Sequence, residues 1–278
     1  MQAGSTSMSP ALRAVFGFVA VNALAGAGSL LLFPTYTDTL FFWEIAPALS
    51  ATLFGALYLG GALTVAWVTY QGAWEPARFL IPVLVSAGVA ISITTLLHLD
   101  RFDPGFKLLY WLLIYVGAPI LAIGFYIDQE RKGASWAVTQ PVAPIIRLIA
   151  VALGGLLVAL GIILVIWPAP AVAYWPWPMT PLMLRVFASW FGAFGVGLLW
   201  FQIEREWTRV VHVANLMIAA AALDLLMLLV HRSSLTTTGP ALWLYCLHLA
   251  LLGGLGFLMH FLQRAWVARG IATQPGMS

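Results

Sequence analysis

Arg147-Leu-Ile-Ala-Val-Ala-Leu-Gly-Gly-Leu-Leu-Val-Ala-Leu-Gly-Ile-Ile-Leu-Val-Ile-Trp167 carries no charge after its first residue. A helix rises 1.5 Å per residue, so about 20 apolar residues cross the roughly 30 Å hydrocarbon core of a bilayer. The run lacks the period-two alternation of a barrel strand, and a helix satisfies its backbone groups internally. It reads as a membrane-spanning helix. Seven more segments read the same way, at 14–33, 49–69, 79–98, 108–127, 182–202, 210–230 and 241–262. Composition agrees: 62% of the 278 residues are hydrophobic and 8% charged, against about a quarter charged in a soluble domain. The expected fold is an all-α membrane protein of eight transmembrane helices, with the lipid bilayer as its principal partner.

The segment around Trp167 has a counterpart 134 residues earlier. Arg13 aligns with Arg147, Phe33-Pro34 with Trp167-Pro168, Trp43 with Trp177 and Pro47 with Pro181; after a one-residue slip, Trp74 aligns with Trp207 and His98 with His231. The chain reads as one four-helix unit written twice, residues 1–127 and 147–278, joined by a polar linker at 128–146. An even number of helices per copy makes the halves parallel repeats related by an axis along the membrane normal. The repeat also argues against reading the first segment as a cleaved signal peptide, since its counterpart is the uninterrupted run quoted above.

Nine basic residues (Arg13, Arg78, Arg131, Lys132, Arg147, Arg205, Arg209, Arg264, Arg269) fall on one side of these segments and four (Arg101, Lys107, Arg185, Arg232) on the other. The positive-inside rule then places both termini in the cytoplasm. The net charge of +3 is distributed over short loops with no basic stripe, which excludes a nucleic-acid partner. One cysteine, Cys246, excludes an intrachain disulfide and any C-x-x-C pair. Gly26, Gly28, Gly60, Gly61, Gly192, Gly195, Gly197, Gly253, Gly254 and Gly256 are read as close helix contacts.

The outer loops at 33–47 and 167–181 are rich in aromatic residues and proline. Rings of this kind favour the membrane interface, and Thr180-Pro181 is a helix start. The functional alternative is a pair of lids over an outward-facing cavity with a polar group beneath. Asp224 and His248 supply such a group: each lies seven residues from the outer end of its segment, roughly 10 Å deep, on adjacent antiparallel helices. An intramembrane acid is costly unless paired or wetted, which makes it a candidate by default. The first copy has Ile91 and Tyr115 at the positions aligned with them. Arg185, aligned with Thr52, is either an interfacial side chain or the counter-ion of Asp224, Glu44 or Asp100. His98 sits beside Asp100, Arg101 and Asp103 and is a candidate pH-responsive or ligand-contacting group. The candidate ligand or ion site is therefore Asp224, His248 and Arg185, bordered by His98, Glu44 and Asp100.

The chain contains no phosphate-binding loop, H-E-x-x-H or G-x-S-x-G motif. No cofactor or metal is expected, and the sequence points away from an enzyme. Trp43-Glu-Ile-Ala-Pro47, Leu53-Phe-Gly-Ala-Leu-Tyr58, Leu97-His-Leu-Asp-Arg-Phe102 and Trp175-Pro-Trp-Pro-Met-Thr-Pro181 give the chain its resemblance to a group of bacterial multi-pass membrane proteins. The resemblance covers most of the length and implies the inner membrane of a bacterium; it carries no activity. The leading functional expectation is a transporter-like protein, or one binding a small molecule or ion. A membrane scaffold or accessory subunit with a membrane-protein partner stands beside it. Haem ligation by His98 and His231 is the third.

Overall fold

The computed structural model describes residues 6–236 and 239–272. Eight helices long and apolar enough to cross a membrane run as α1 (Pro10–Leu32), α2 (Ala48–Gln71), α3 (Trp74–Leu96), α4 (Phe106–Arg131), α5 (Pro144–Ile166), α6 (Pro181–Gln202), α7 (Trp207–Val230) and α8 (Pro240–Ala272). No strand forms among the described residues. The ends follow local chemistry. Ser9 Oγ accepts from Leu12 N ahead of Pro10, and Thr180 Oγ1 accepts from Met183 N ahead of Pro181, each cap satisfying an N–H that the first turn leaves free. Gly72 closes α2 at φ +65°, a left-handed conformation that a Cβ disfavours. The polar linker is shorter than its composition suggests, because α4 continues through Arg131.

The bundle has two layers of helices. In α2 and α6, 67% of the apolar window is buried, against 17% in α4 and 22% in α1; α2, α3, α6 and α7 form the inside, and α1, α4, α5 and α8 face lipid. The pairings match between halves. α1 packs on α2 as α5 packs on α6, α3 on α4 as α7 on α8, and the halves meet through α2–α7 and α3–α6.

Individual contacts repeat as well. Met8 N donates to Gly72 O (2.9 Å) and Trp74 N to Thr6 O (2.8 Å); Val142 N donates to Arg205 O (2.8 Å) and Trp207 N to Gln140 O (2.7 Å). Gln129 Nε2 donates to Ser7 O, and Gln263 Nε2 to Pro141 O. Trp43 and Trp111 meet with centroids 5.1 Å apart at 87°, as do Trp177 and Tyr245. These contacts fix the register at 134 for the last helix of each half and at 133 for the third. The alignment of Tyr115 with His248 is thereby corrected: Tyr115 corresponds to Leu249, and His248 to Ile114. The one-residue slip is confined to the middle helices.

Close approach is concentrated at fewer glycines than the sequence suggests. A Cβ on Gly195 would lie 2.7 Å from Gly154 O, and one on Gly256 2.7 Å from Ala214 O. Nothing lies within 4 Å of such an atom at Gly28, Gly192 or Gly254.

Candidate functional site

Asp224 is on α7 and 4% exposed, buried as its apolar counterpart Ile91 is at 1%. Its Oδ1 has no hydrogen-bond partner. Asp224 and His248 line one cavity of about 20 Å³ with Tyr245, Trp190, Phe191 and Phe194. They share that space without an ion pair between them among the described residues. The His248 ring instead packs against Phe191 and Tyr245. A volume of this size holds about one water. It does not hold a solute.

Arg185 does not serve Asp224, Glu44 or Asp100. Its Nε donates to Val165 O (2.8 Å), and its Nη1 lies 2.7 Å from His98 Nε2. A guanidinium only donates, so His98 must present Nε2 as an acceptor and carry its proton on Nδ1. Partial burial and then the Arg185 charge lower the His98 pKa, against a smaller upward pull from Asp100. His98 is thus a neutral acceptor joining the outer end of α3 to α6. With Nε2 occupied by Arg185, this nitrogen is not offered to a haem iron. Glu44 and Asp100 are exposed, and Asp100 pairs with its neighbour Arg101 at 3.2 Å. Charge pairing between sequence neighbours accounts for it. Of the six residues picked from the sequence, the structure brings Asp224 to His248 and Arg185 to His98, as two separate pairs.

A larger cavity lies in the first copy, away from the residues picked from the sequence. It measures about 280 Å³ and is walled by α1 to α4, with Trp190, Ala193 and Phe194 of α6 and Leu216 of α7 closing the inner side. Leu40, Phe41 and Phe42 of the first outer loop cap it. Phe41 meets Trp43, Phe54, Tyr58 and Trp111 edge to face, which locks the loop down. Exposed Ala25 and Leu40, with half-buried Asn22 and Tyr110, form its border towards lipid.

The polar centre of this cavity is a pair of hydroxyls, Tyr58 on α2 and Tyr115 on α4, hydrogen-bonded to each other. Tyr58 lies ten residues into α2 and Tyr115 nine into α4, so both sit about 15 Å from the outer helix ends, near mid-bilayer. Two local features seat them. Gly26 lets α1 approach the Tyr58 ring, where a Cβ would lie 3.0 Å from Cδ1 and Cε1. Leu113–Gly117 is a π-helical turn carrying Tyr115, whose carbonyl accepts from Ser92 Oγ at 3.3 Å. Such a turn rotates the side chains after it relative to an unbroken helix and is frequent at functional sites. The sequence signal for this site was weak: two tyrosines 57 residues apart in apolar segments.

At the opposite ends of the helices lies a buried ionic cluster that was also missed. Arg78, 0% exposed, pairs with Glu204 and with Glu130 (3.4 Å), and Arg209 holds the other Glu204 oxygen at 3.1 Å. Trp136 of the linker covers the guanidinium, 3.6 Å from ring centroid to Cζ, and donates to Glu130. Arg78 and Arg209 entered the sequence reading only as topology charges.

Comparison with protein-family models, with curated proteins and with solved structures gives no match. The function therefore has to be read from the geometry. No cluster of three or more His, Cys, Asp or Glu side chains suited to a metal occurs among the described residues.

Proposed function

We propose that this chain is a bacterial inner-membrane protein that binds a lipophilic small molecule in the cavity of its first copy. The observation that carries the reading is a space of about 280 Å³ walled by apolar side chains and bordered by lipid-facing residues. That volume lies just below the roughly 300–1,000 Å³ usual for small-molecule sites, and an apolar lining with few polar groups is their usual character. The ligand enters from the bilayer between α1 and α4. The small cavity at Asp224 supports no equivalent role in solute transport, which moves the site away from the second copy.

The chain is further proposed to be two parallel repeats, 1–127 and 147–278, with linker 128–146 and both termini in the cytoplasm. Matching helix pairs and the basic-residue bias support this arrangement. A C-terminal reporter that is active only in the cytoplasm tests the orientation.

The binding reading is tested by quenching of tryptophan fluorescence with a brominated lipophile in reconstituted vesicles. Trp111 and Trp190 line the cavity and should be quenched saturably. Ala23→Phe, which fills the lipid-side wall, should abolish the saturable component. Leu24→Phe, on an exposed neighbouring position, should leave it intact. Equal quenching in both variants overturns the proposal.

A further inference from the structure

We infer that the ligand is a neutral lipophile carrying a carbonyl-type acceptor, and that the Tyr58–Tyr115 pair is its recognition element. The inference rests on the proposed lipophile-binding cavity and narrows what that cavity takes.

The argument is a count of hydrogens. Each tyrosine hydroxyl has one O–H to donate and lone pairs to accept with. When two hydroxyls bond to each other, whichever donates, the other keeps its hydrogen. The Tyr58–Tyr115 pair therefore leaves one O–H without an acceptor. The other hydroxyls on the wall have spent theirs on the protein: Ser29 Oγ donates to Gly26 O, Thr64 Oγ1 to Gly60 O, and Tyr110 to Asn22 Oδ1. Trp111 Nε1 donates to Thr95 Oγ1 at 2.9 Å. Trp190 Nε1 also lacks a partner, and its ring stands 5.8 Å from that of Tyr58. The lining thus has an unspent O–H at the Tyr58–Tyr115 pair and an unpartnered indole N–H on a second lining residue. A carbonyl oxygen, with two lone pairs and no hydrogen, complements such a wall.

Charge narrows the class further. No Asp, Glu, Lys, Arg or His lines the cavity. An ionised head group there would be stripped of water with no counter-ion, a cost that hydrophobic burial of a small molecule does not offset. Free fatty acids and amines are therefore poor ligands. A ring carbonyl, as in an isoprenoid-tailed quinone, and an ester carbonyl, as in an acyl ester, share the required chemistry.

The pair also has an unusual mutational signature. Tyr58→Phe leaves Tyr115 with its own O–H, and Tyr115→Phe leaves Tyr58 with its own, so either single variant retains one donor. Only the double variant removes the donor altogether. The experiment measures binding of three neutral probes to the reconstituted full-length protein by tryptophan quenching: an isoprenoid-tailed naphthoquinone, a long-chain acyl methyl ester, and a naphthalene hydrocarbon with the same isoprenoid tail and no oxygen. Removing a hydrogen bond is expected to weaken a carbonyl probe about 3- to 10-fold in the double variant, with each single variant within about 2-fold of wild type. The hydrocarbon should bind wild type and double variant alike. Whichever carbonyl probe shows the pattern identifies the source. If all three probes bind saturably but the double variant treats them alike, the recognition role is overturned while the cavity reading stands. If none binds saturably, the cavity reading itself fails. A circular-dichroism melt of each variant establishes that a loss of binding is not a loss of fold.

Discussion

Arg78 gives the sharpest test of how the helix ends opposite the aromatic loops are held together. Its guanidinium is 0% exposed and bonds Glu204, itself 2% exposed, so replacing Arg78 by Met strands a carboxylate in a nearly dry setting. Breaking a buried pair from one side costs about 3–5 kcal/mol. Two features place this case near the lower end. Glu204 keeps Arg209 at 3.1 Å, and Glu130 keeps the Trp74 and Trp136 N–H donors at 2.8 and 3.1 Å. Loss of the stacking of Arg78 on Trp136 adds about 0.5–2 kcal/mol. Arg78→Met should therefore destabilise by roughly 3–4 kcal/mol, the compensated-pair cost plus part of the stacking term. Removing both charges with Arg78→Met/Glu204→Leu should recover part of that loss, because the Glu204 carboxylate is no longer stranded while Arg209, deprived of Glu204, keeps Ala137 O at 3.0 Å. Equilibrium unfolding in bicelles of the two single variants and the double yields the coupling energy, expected at about 2 kcal/mol or more. A coupling below about 0.5 kcal/mol, with the two single costs simply adding, would refute the reasoning.

Asp224→Ile installs the residue that the first copy has at the equivalent position; since Asp224 Oδ1 has no partner, stability should rise by about 1–3 kcal/mol in the same unfolding assay, and a fall would mean that the carboxyl is held by something. Trp177 Nε1 donates to Ser50 Oγ across the two copies at 3.0 Å, whereas Trp43 Nε1 is buried without a partner. Trp177→Phe should accordingly cost about 0.6–1.7 kcal/mol more than Trp43→Phe, the range for hydrogen bonds between membrane helices, and equal costs would contradict the asymmetry. For His98 the lowered pKa sets the sign of a pH effect. The unfolded chain takes up a proton near the ordinary value of 6.5 while the folded site resists it, so stability is complete above about that pH and declines as pH falls towards the depressed folded value. His98→Gln, which keeps an acceptor for Arg185 and cannot titrate, should flatten the stability profile between about pH 5 and 7; a slope that persists would assign it to another group.

The fold was legible because its signal is one-dimensional. Twenty apolar residues in a row need only be long enough, and all eight segments matched helices that begin one to five residues before the apolar run, as at Ser9-Pro10. The sites were less legible because they depend on which faces meet. Asp224 stood out as an acid among apolar residues, and its depth estimate put it in the same cavity as His248. For Arg185, charge sign offers an acid as partner beside the alternative of an interfacial side chain. In the structure a neutral imidazole and a backbone carbonyl satisfy it equally well. Arg78 was invisible as a site since an arginine at a helix start reads as a topology mark, and only the fold of the linker brings Trp136 and Ser135 over it.

Compared by polarity, the two halves point to the second, which holds the acid and the histidine. Yet inside a membrane, space is as informative as polarity. The first copy uses Gly26, the π-helical turn at Leu113–Gly117 and the descent of Phe41 into the bundle to keep a cavity open around one hydroxyl pair. In the second copy the position equivalent to Tyr58 is Phe191 and that equivalent to Tyr115 is Leu249, so no such pair can form there. Leu249 is buried and Phe191 packs on His248, leaving only about 20 Å³ beside Asp224. At these two positions the first half has tyrosines where the second has apolar residues. A comparison of polarity passes over such a difference, but each hydroxyl in a dry bundle must find a partner, and the half that has both also has room for a third group to meet them.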